Sequence, residues 1–256
     1  MLAILSPAKS LNTDLSVDRS MITTPQFLGE ATTLADMMRE LSPSDLAGLM
    51  KLSDKLSALN AARFEHWSPD HQADELLPAV YAFNGDVYQG LDVQTLGPDA
   101  LNRLAGHVRI LSGLYGLLRP FDAMRPYRLE MGTKLQGQTI TSLPHFWKSK
   151  ITKRLNADLK GEHLINLASN EYAAAVDLGA IEGPVISPLF KDMKNGEYKI
   201  ISFFAKRARG LMARFIVEAN PQTVTDLYAF DYAGYRYSKV HSKPDAPCFI
   251  RGPELR

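Results

Sequence analysis

Leu2-Ala3-Ile4-Leu5-Ser6-Pro7 opens the chain and sets the first expectation about its architecture. Four consecutive apolar residues followed by serine and proline predict a buried strand that ends in a turn. Leu164-Ile165-Asn166-Leu167-Ala168, which ends at Ser169-Asn170, repeats the pattern much later in the chain. Two buried strands with polar residues at their ends predict one shared sheet with a polar rim.

Apolar residues at helical spacing, separated by turn residues, predict the other elements. Helices are predicted over Phe27–Leu41, Leu46–Met50 (with Ser44-Asp45 as the N-cap region), Lys55–Phe64, Pro78–Tyr88, Asp99–Leu118, Trp147–Leu159 and Phe204–Ala219. Asn195-Gly196 tolerates the positive φ angles of a type I′ turn, which predicts a β-hairpin between strands Val185–Lys191 and Tyr198–Phe204. The whole predicts an α+β fold: a single compact domain over residues 1–256, with a mixed sheet and an unusual topology.

The composition is that of an ordinary globular protein. The 256 residues are 45% hydrophobic and 22% charged, enough to bury a sizeable core. A net charge of +1 excludes a histone-like protein, so any DNA binding must come from local clusters of positive charge. The single cysteine, Cys248, cannot form an internal disulfide, which fits a reducing compartment. Since no signal peptide or membrane span is visible, we expect a cytoplasmic protein with no membrane partner.

The first candidate site is a tight connection, Lys51-Leu52-Ser53, between two short predicted helices. The apolar residues expected to hold these helices together are Leu46, Leu49, Leu52 and Leu56. This spacing resembles the helix-hairpin-helix motif of DNA-repair proteins, in which the start of the second helix presents backbone amides to a phosphate. Lys51, Ser53 and Lys55 are the candidate contacts, although that motif usually carries glycines where Lys51 and Ser53 stand. The alternative is an ordinary helical hairpin packed on the core.

Two further segments concentrate positive charge. On the predicted helix Phe204–Ala219 the basic residues share one face without an acid among them: Lys206, Arg207, Arg209 and Arg214. In the segment 113–134, which contains glycines and prolines, the basic residues are Arg119, Arg125, Arg128 and Lys134. Both segments could receive phosphates. The alternatives are a solvated surface helix and internal pairing of the arginines with Asp122 and Glu130.

Polar residues follow both buried strands, where α/β proteins often bind ligands. A pocket there could gather a set of polar residues with a carboxylate as general base: Lys9, Arg128, Glu130, Asn170 and Glu171. The alternative for Ser169-Asn170-Glu171 is a simple cap of a helix that follows. The sequence has no metal-ligand spacing, no phosphate-binding glycine loop and no nucleophile elbow, so we expect no cofactor and no dedicated metal site.

Six segments in order along the chain carry a resemblance that no one of them would carry alone. They are Ile4–Leu11, Ser53–Phe64, Gly113–Pro120, Pro126–Lys134, Asn166–Tyr172 and Lys206–Gly210. Together they resemble the YaaA family of bacterial peroxide-stress proteins. The resemblance implies a cytosolic protein of the response to hydrogen peroxide, associated with iron homeostasis and with limiting iron-driven DNA damage. It also implies an unusual α+β fold with a helix-hairpin-helix element, here at about residues 43–64, and a positively charged cleft for double-stranded DNA.

The leading hypothesis is therefore a monomeric, non-enzymatic stress protein that binds double-stranded DNA mainly through phosphates. Its candidate DNA contacts are Lys51, Ser53, Lys55, Arg119, Arg125, Arg128, Lys134, Lys206, Arg207 and Arg209. The runner-up is an enzyme that acts on a nucleotide or another anionic small molecule in the pocket described above. A third hypothesis is direct iron sequestration, against which the absence of a ligand motif argues.

Overall fold

The structure, a computed structural model, describes residues 1–13, 20–70, 76–135 and 139–255. The strands in these ranges are β1 (Leu2–Leu5), β2 (Ser10–Leu11), β3 (Leu77–Pro78), β4 (Phe83–Asn84), β5 (Val108–Ser112), β6 (Gly116–Leu118), β7 (Ala123–Met124), β8 (Leu164–Asn166), β9 (Val185–Ile186), β10 (Leu189–Lys194), β11 (Glu197–Lys199), β12 (Arg236–Tyr237) and β13 (Cys248–Arg251). The α-helices are α1 (Leu28–Arg39), α2 (Pro43–Met50), α3 (Asp54–Glu65), α4 (Ala79–Ala82), α5 (Asp86–Leu91), α6 (Pro98–His107), α7 (Leu143–Leu159), α8 (Asn170–Ala173) and α9 (Ser202–Ala219).

The first strand of the chain is the centre of the main sheet, whose strand order is β6-β5-β1-β8-β9. Strand β1 pairs in parallel with β5 on one side and β8 on the other, so that Ala3 lies opposite both Val108 and Ile165. All four residues of β1 are buried, as a central strand covered on both faces requires. The prediction that the strands beginning at Leu2 and Leu164 share one sheet is confirmed.

A second, smaller sheet has the order β11-β10-β13-β12 and mixes parallel and antiparallel pairs. Strands β10 and β11 pair antiparallel with Lys194 opposite Glu197, and Asn195 and Gly196 between them have φ angles of 54° and 79°. The pairs β2–β4 and β3–β7 form two further two-stranded sheets. The molecule is a mixed α+β protein with one domain, as the sequence predicts.

Helix α9 joins the two sheets, because it packs on β1 of the first and on β10 of the second. It crosses α5 at very short range through two glycines. A Cβ atom on Gly210 would lie 1.8 Å from the Val87 carbonyl oxygen, and a Cβ on Gly90 would lie 2.1 Å from the Arg207 carbonyl oxygen. Only glycine at both positions permits this crossing. The crossing fixes the basic side chains of α9 beside the start of α5.

The long predicted helices over Phe27–Leu41, Lys55–Phe64, Trp147–Leu159 and Phe204–Ala219 are confirmed by α1, α3, α7 and α9. The predicted helix Asp99–Leu118 is wrong beyond His107, where β5 begins. All five residues of β5 are buried. A strand covered on both faces has the same continuous apolar character as a buried helix, which explains the error.

The predicted helix Pro78–Tyr88 is interrupted. Helix α4 ends at Ala82, strand β4 follows, and α5 begins only at Asp86. Asn84-Gly85 is a turn signal that breaks the helical pattern.

The predicted N-cap of α2 is also wrong by two residues. Ser42 is the cap, and it forms a capping box with Asp45 that leaves Pro43 in the first turn.

Candidate functional site

A cavity of about 370 Å³ lies at the carboxyl ends of β1 and β8. It is lined by residues 6–10, 84–88 and 127–130, by Ser169, Glu171 and Tyr172, and by Lys206 and Arg209 of α9. Ligands of open α/β sheets bind at this edge, where successive parallel strands end together. Of the residues predicted from sequence for a pocket, Lys9, Arg128, Glu130 and Glu171 line this cavity, whereas Asn170 is exposed and is not part of the lining.

Glu130 is held between two of the predicted cations. Its Oε2 lies 2.6 Å from Lys9 Nζ, and its Oε1 lies 2.9 Å from Arg128 Nη2. Arg128 Nε also donates to Oε1, at 3.2 Å. One carboxylate thus pairs with both cations and fixes the position of the Arg128 guanidinium.

The two strand ends are tied directly to each other. Ser6 Oγ accepts a hydrogen bond from the Ser169 amide at 2.9 Å and donates one to Ser169 Oγ at 3.3 Å. Tyr88 OH donates to the Ser6 carbonyl oxygen at 3.0 Å. Ser169 Oγ also accepts from the Tyr172 amide as the cap of α8. Both sequence interpretations of this segment therefore describe it, since Ser169 caps a helix and lines the cavity.

Three tyrosines form the buried wall of the cavity: Tyr88, Tyr127 and Tyr172. Burial raises the pKa of each phenol above its usual value, so all three are neutral near pH 7. The Tyr127 hydroxyl shares a hydrogen bond of 2.6 Å with Ser112 Oγ. Tyr172 lies in the Asn166–Tyr172 segment that the sequence singles out, but Tyr88 and Tyr127 are not among the predicted site residues. The Asn84-Gly85 break could have indicated Tyr88, but no pattern marks Tyr127.

Lys206 and Arg209 enter the cavity from α9 without a partner of their own. Neither side chain makes a hydrogen bond or an ion pair with any residue that the structure describes. Lys206 is exposed, whereas Arg209 is partly buried, and burial lowers the pKa of its guanidinium. The cavity also contains two negative charges, Asp86 and Glu171, which lack an ion-pair partner among the described residues. Glu171 Oε1 accepts from the Gly132 amide at 2.9 Å.

Two other predicted DNA contacts are bound to the protein itself. Arg119 Nη2 lies 2.8 Å from Oδ1 of the buried Asp122 and donates to the Thr24 carbonyl oxygen at 2.7 Å. Arg125 donates to the carbonyl oxygens of Ser68 and Asp70 at 3.2 and 2.8 Å. Both arginines therefore join distant segments of the fold. Arg119 does so with Asp122, as the internal-pairing alternative describes, whereas Arg125 binds backbone carbonyls.

The basic face of α9 does carry an acid, which corrects the expectation of an uninterrupted cationic stripe. Glu218 lies one turn after Arg214 and pairs with it at 2.7 Å. Arg214 also donates to Thr95 Oγ1 at 2.7 Å. Arg214 is thus structural. Arg207, on the same helix, and Lys134, whose backbone forms a bridge with Ser142, have exposed side chains.

The connection between α2 and α3 has the backbone of a tight hairpin. Lys51 ends α2 with a φ of 53° and a ψ of 51°, a left-handed conformation that glycine usually supplies. Ser53 is the N-cap of α3, and its side chain makes no capping hydrogen bond. The side chains of Lys51, Ser53 and Lys55 are all exposed.

The apolar contact between these helices differs from the prediction at Leu56. Leu46 is fully buried, but Leu56 is 38% exposed. The buried stripe of α3 runs instead along Ser57, Asn60 and Phe64. The two polar members of this stripe satisfy their side chains locally, since Ser57 Oγ donates to the Asp54 carbonyl and Asn60 Nδ2 to the Leu56 carbonyl. Because two of the three buried residues are polar, the spacing of apolar residues does not identify the inner face of α3.

A larger groove, of about 770 Å³, runs along α7 between Lys148 and Glu182. It is a shallow surface feature, and its Asn156 amide is already used to bind the Ala180 carbonyl and the Glu182 amide. Over the described ranges, no three His, Cys, Asp or Glu side chains are grouped closely enough to hold a metal ion. No helix in those ranges has both the length and the apolar character to cross a membrane.

Fold and site thus define a one-domain α+β protein with a polar cavity at the carboxyl edge of a mixed sheet and an exposed cationic helical hairpin. The chain belongs to the peroxide stress protein YaaA family, whose sequence profile matches residues 1–241. It is 48% identical to a UPF0246 protein of Shewanella amazonensis over 254 residues, which cover 98% of this chain and 99% of the relative. UPF0246 proteins of Idiomarina loihiensis and Shewanella sediminis are 48% and 50% identical over 99% and 98% of this chain, and over 100% and 99% of their own lengths.

Proposed function

We propose that this protein acts in the cytosolic response to peroxide stress by binding double-stranded DNA, mainly through phosphates, and so helps to limit iron-driven DNA damage. Its membership of a family of peroxide stress proteins supports the first part. The observation that carries the second part is the hairpin between α2 and α3, where two exposed lysines flank the start of a helix with no side-chain cap.

The start of α3 has the electrostatics of a phosphate contact. The amides of the first helical turn have no partner within the helix, and the positive end of the helix dipole adds to their attraction for an anion. Because the Ser53 side chain makes no capping bond, it does not occupy these amides. Asp54 in the same turn opposes anion binding, and Lys51 and Lys55 outweigh it by one charge.

Backbone contacts of this kind hold a duplex without reading its sequence. Lys134, Lys206 and Arg207 are exposed candidate contacts as well, whereas the candidates Arg128 and Arg209 are partly buried in the cavity. Arg119 and Arg125 are bound to internal partners and contribute less than the sequence suggested. We therefore expect similar affinity for duplexes of different sequence.

The hairpin is tested by replacing Lys51 with glycine and Lys55 with glutamine. Glycine keeps the left-handed backbone at position 51 while removing the charge, so a loss of binding cannot come from a distorted turn. Each lost phosphate contact reduces the logarithm of affinity by about 0.9 at 0.1 M salt, so we expect binding roughly 60-fold weaker. Fluorescence anisotropy with a labelled duplex measures this.

Helix α7 supplies a matched control. Lys160 ends α7 with a φ of 50° and is exposed, as Lys51 is at the end of α2, and Lys153 is an exposed lysine of the same helix. Replacing Lys160 with glycine and Lys153 with glutamine removes the same charge at the same kind of backbone position. This control is expected to bind nearly as wild type does. An equal loss in both variants, or no loss in either, would show that the hairpin is not the contact.

A further inference from the structure

The cavity at the ends of β1 and β8 has the size of a small-molecule site. Its volume of about 370 Å³ lies within the range of roughly 300–1,000 Å³ that is usual for ligand pockets. Its rear wall is made of buried, neutral tyrosines, and its rim carries charged side chains from five separate segments. A DNA duplex is much wider than such a cavity. Any ligand inside the cavity is therefore a small molecule and not the duplex.

Part of the charge in the cavity is already balanced. Glu130 pairs with both Lys9 and Arg128, which leaves that group of three with a single positive charge. The group is held in place by these bonds and forms one fixed side of the cavity. Its excess charge favours an anion nearby.

Lys206 and Arg209 carry the inference, because they are three residues apart on α9 and have no partner in the part of the chain that the structure describes. Residues at this spacing lie on the same side of a helix. A guanidinium that is partly withdrawn from water without an acceptor is costly, and an anionic ligand would repay that cost. Two cations together match the charge of a phosphate monoester, which is about −1.5 to −2 near pH 7.

Asp86 and Glu171 indicate which chemical groups the rest of the ligand carries. Both carboxylates line the same cavity without an ion-pair partner among the described residues. An ionised carboxylate only accepts hydrogen bonds, so it would repel a second anionic group and bind donors such as hydroxyl or amino groups. The cavity therefore suits a molecule with an anionic end and a hydroxylated body.

We propose that this cavity binds a small phosphate monoester with a hydroxylated body, such as a sugar phosphate or a nucleoside monophosphate. The phosphate binds Lys206 and Arg209, where the planar guanidinium gives two parallel hydrogen bonds. The hydroxyl groups bind Asp86 and Glu171. The site is separate from the hairpin between α2 and α3, and either can exist without the other, although Lys206 is a candidate contact in both proposals.

Isothermal titration calorimetry of the full chain tests this site with named probes. Ribose 5-phosphate and adenosine 5′-monophosphate are expected to bind, while ribose and adenosine are not. Arg209→Gln and Lys206→Gln each remove one charged hydrogen-bond donor, and each is expected to weaken binding by roughly ten- to a hundredfold. Lys206 is exposed, so its variant folds even if the Arg209 variant does not.

Arg207→Gln is the matched control, because Arg207 is exposed on the same helix and is not part of the cavity lining. It is expected to bind both probes as wild type does, and so is the Lys51→Gly, Lys55→Gln variant. Absence of binding of both phosphorylated probes at millimolar concentration would overturn the proposal, as would an equal loss in Arg207→Gln. Binding of inorganic phosphate as tight as that of ribose 5-phosphate would refute the role of Asp86 and Glu171.

Discussion

Gly210→Ala is expected to lower the free energy of unfolding by roughly 3 kcal/mol, the upper range for an overpacked core. The added Cβ would lie 1.8 Å from the Val87 carbonyl oxygen and 2.8 Å from the Leu91 amide nitrogen, both backbone atoms of α5. Backbone cannot move aside as a side chain can, so α5 and α9 must separate. For a chain of this size, thermal unfolding should occur roughly 6–12 °C lower.

Gly106→Ala is the control for this substitution. Gly106 is an exposed residue of α6, and a Cβ there would meet no atom within 4 Å. Alanine at this position is expected to be neutral or to stabilise by about 0.5–1 kcal/mol, because it lowers the entropy of the unfolded chain. A Gly210→Ala protein as stable as wild type would mean that α5 and α9 do not cross as described. The crossing also places Lys206 and Arg209 beside Asp86, so the cavity depends on it.

Asp192→Asn is expected to destabilise the protein by roughly 3–5 kcal/mol. Asp192 is fully buried in β10, where its Oδ1 accepts from Arg251 Nε at 2.7 Å and its Oδ2 accepts from Tyr235 OH at 2.8 Å. Arg251 is itself buried, with its guanidinium over the rings of Phe204 and Tyr235. The substitution removes the negative charge that compensates the buried Arg251 cation. Urea unfolding, followed by circular dichroism, measures the loss.

Glu197→Gln makes the same chemical change in the neighbouring strand. Glu197 pairs with Lys199 at 2.7 Å, but the two side chains are 68% and 56% exposed. A solvent-exposed pair contributes about 0–1 kcal/mol, so this variant should be close to wild type. Similar stabilities for the Asp192 and Glu197 variants would contradict the burial of the Asp192–Arg251 pair.

The main sheet could be predicted because its signals are local. Four apolar residues before Ser6 mark β1, and the polar residues after Leu164–Asn166 mark the same edge of the sheet. Lys9 and Glu171, which follow these two strands in the sequence, both line the cavity at that edge. Glu130 lines the same cavity and lies in the loop after Pro126. The arginines of that loop mark it in the sequence as a candidate anion site.

The rest of the site depends on contacts between distant segments. Lys206 and Arg209 reach the cavity only because two glycines let α9 cross α5, and no pattern within α9 shows this. The partners of Arg119 and Arg125 include backbone carbonyls of Thr24 and Ser68, which carry no side-chain signal. A sequence therefore shows where cations are concentrated, but not which of them the fold has already paired.

The salt dependence of duplex affinity tests phosphate-based DNA binding most directly. For wild type, the logarithm of the association constant should fall linearly with the logarithm of salt concentration. For Lys51→Gly with Lys55→Gln the slope should be shallower by roughly 1.8, which corresponds to two lost phosphate contacts, while Lys160→Gly with Lys153→Gln keeps the wild-type slope. Negligible wild-type binding at low salt, or the same slope in all three proteins, would contradict DNA binding through the hairpin.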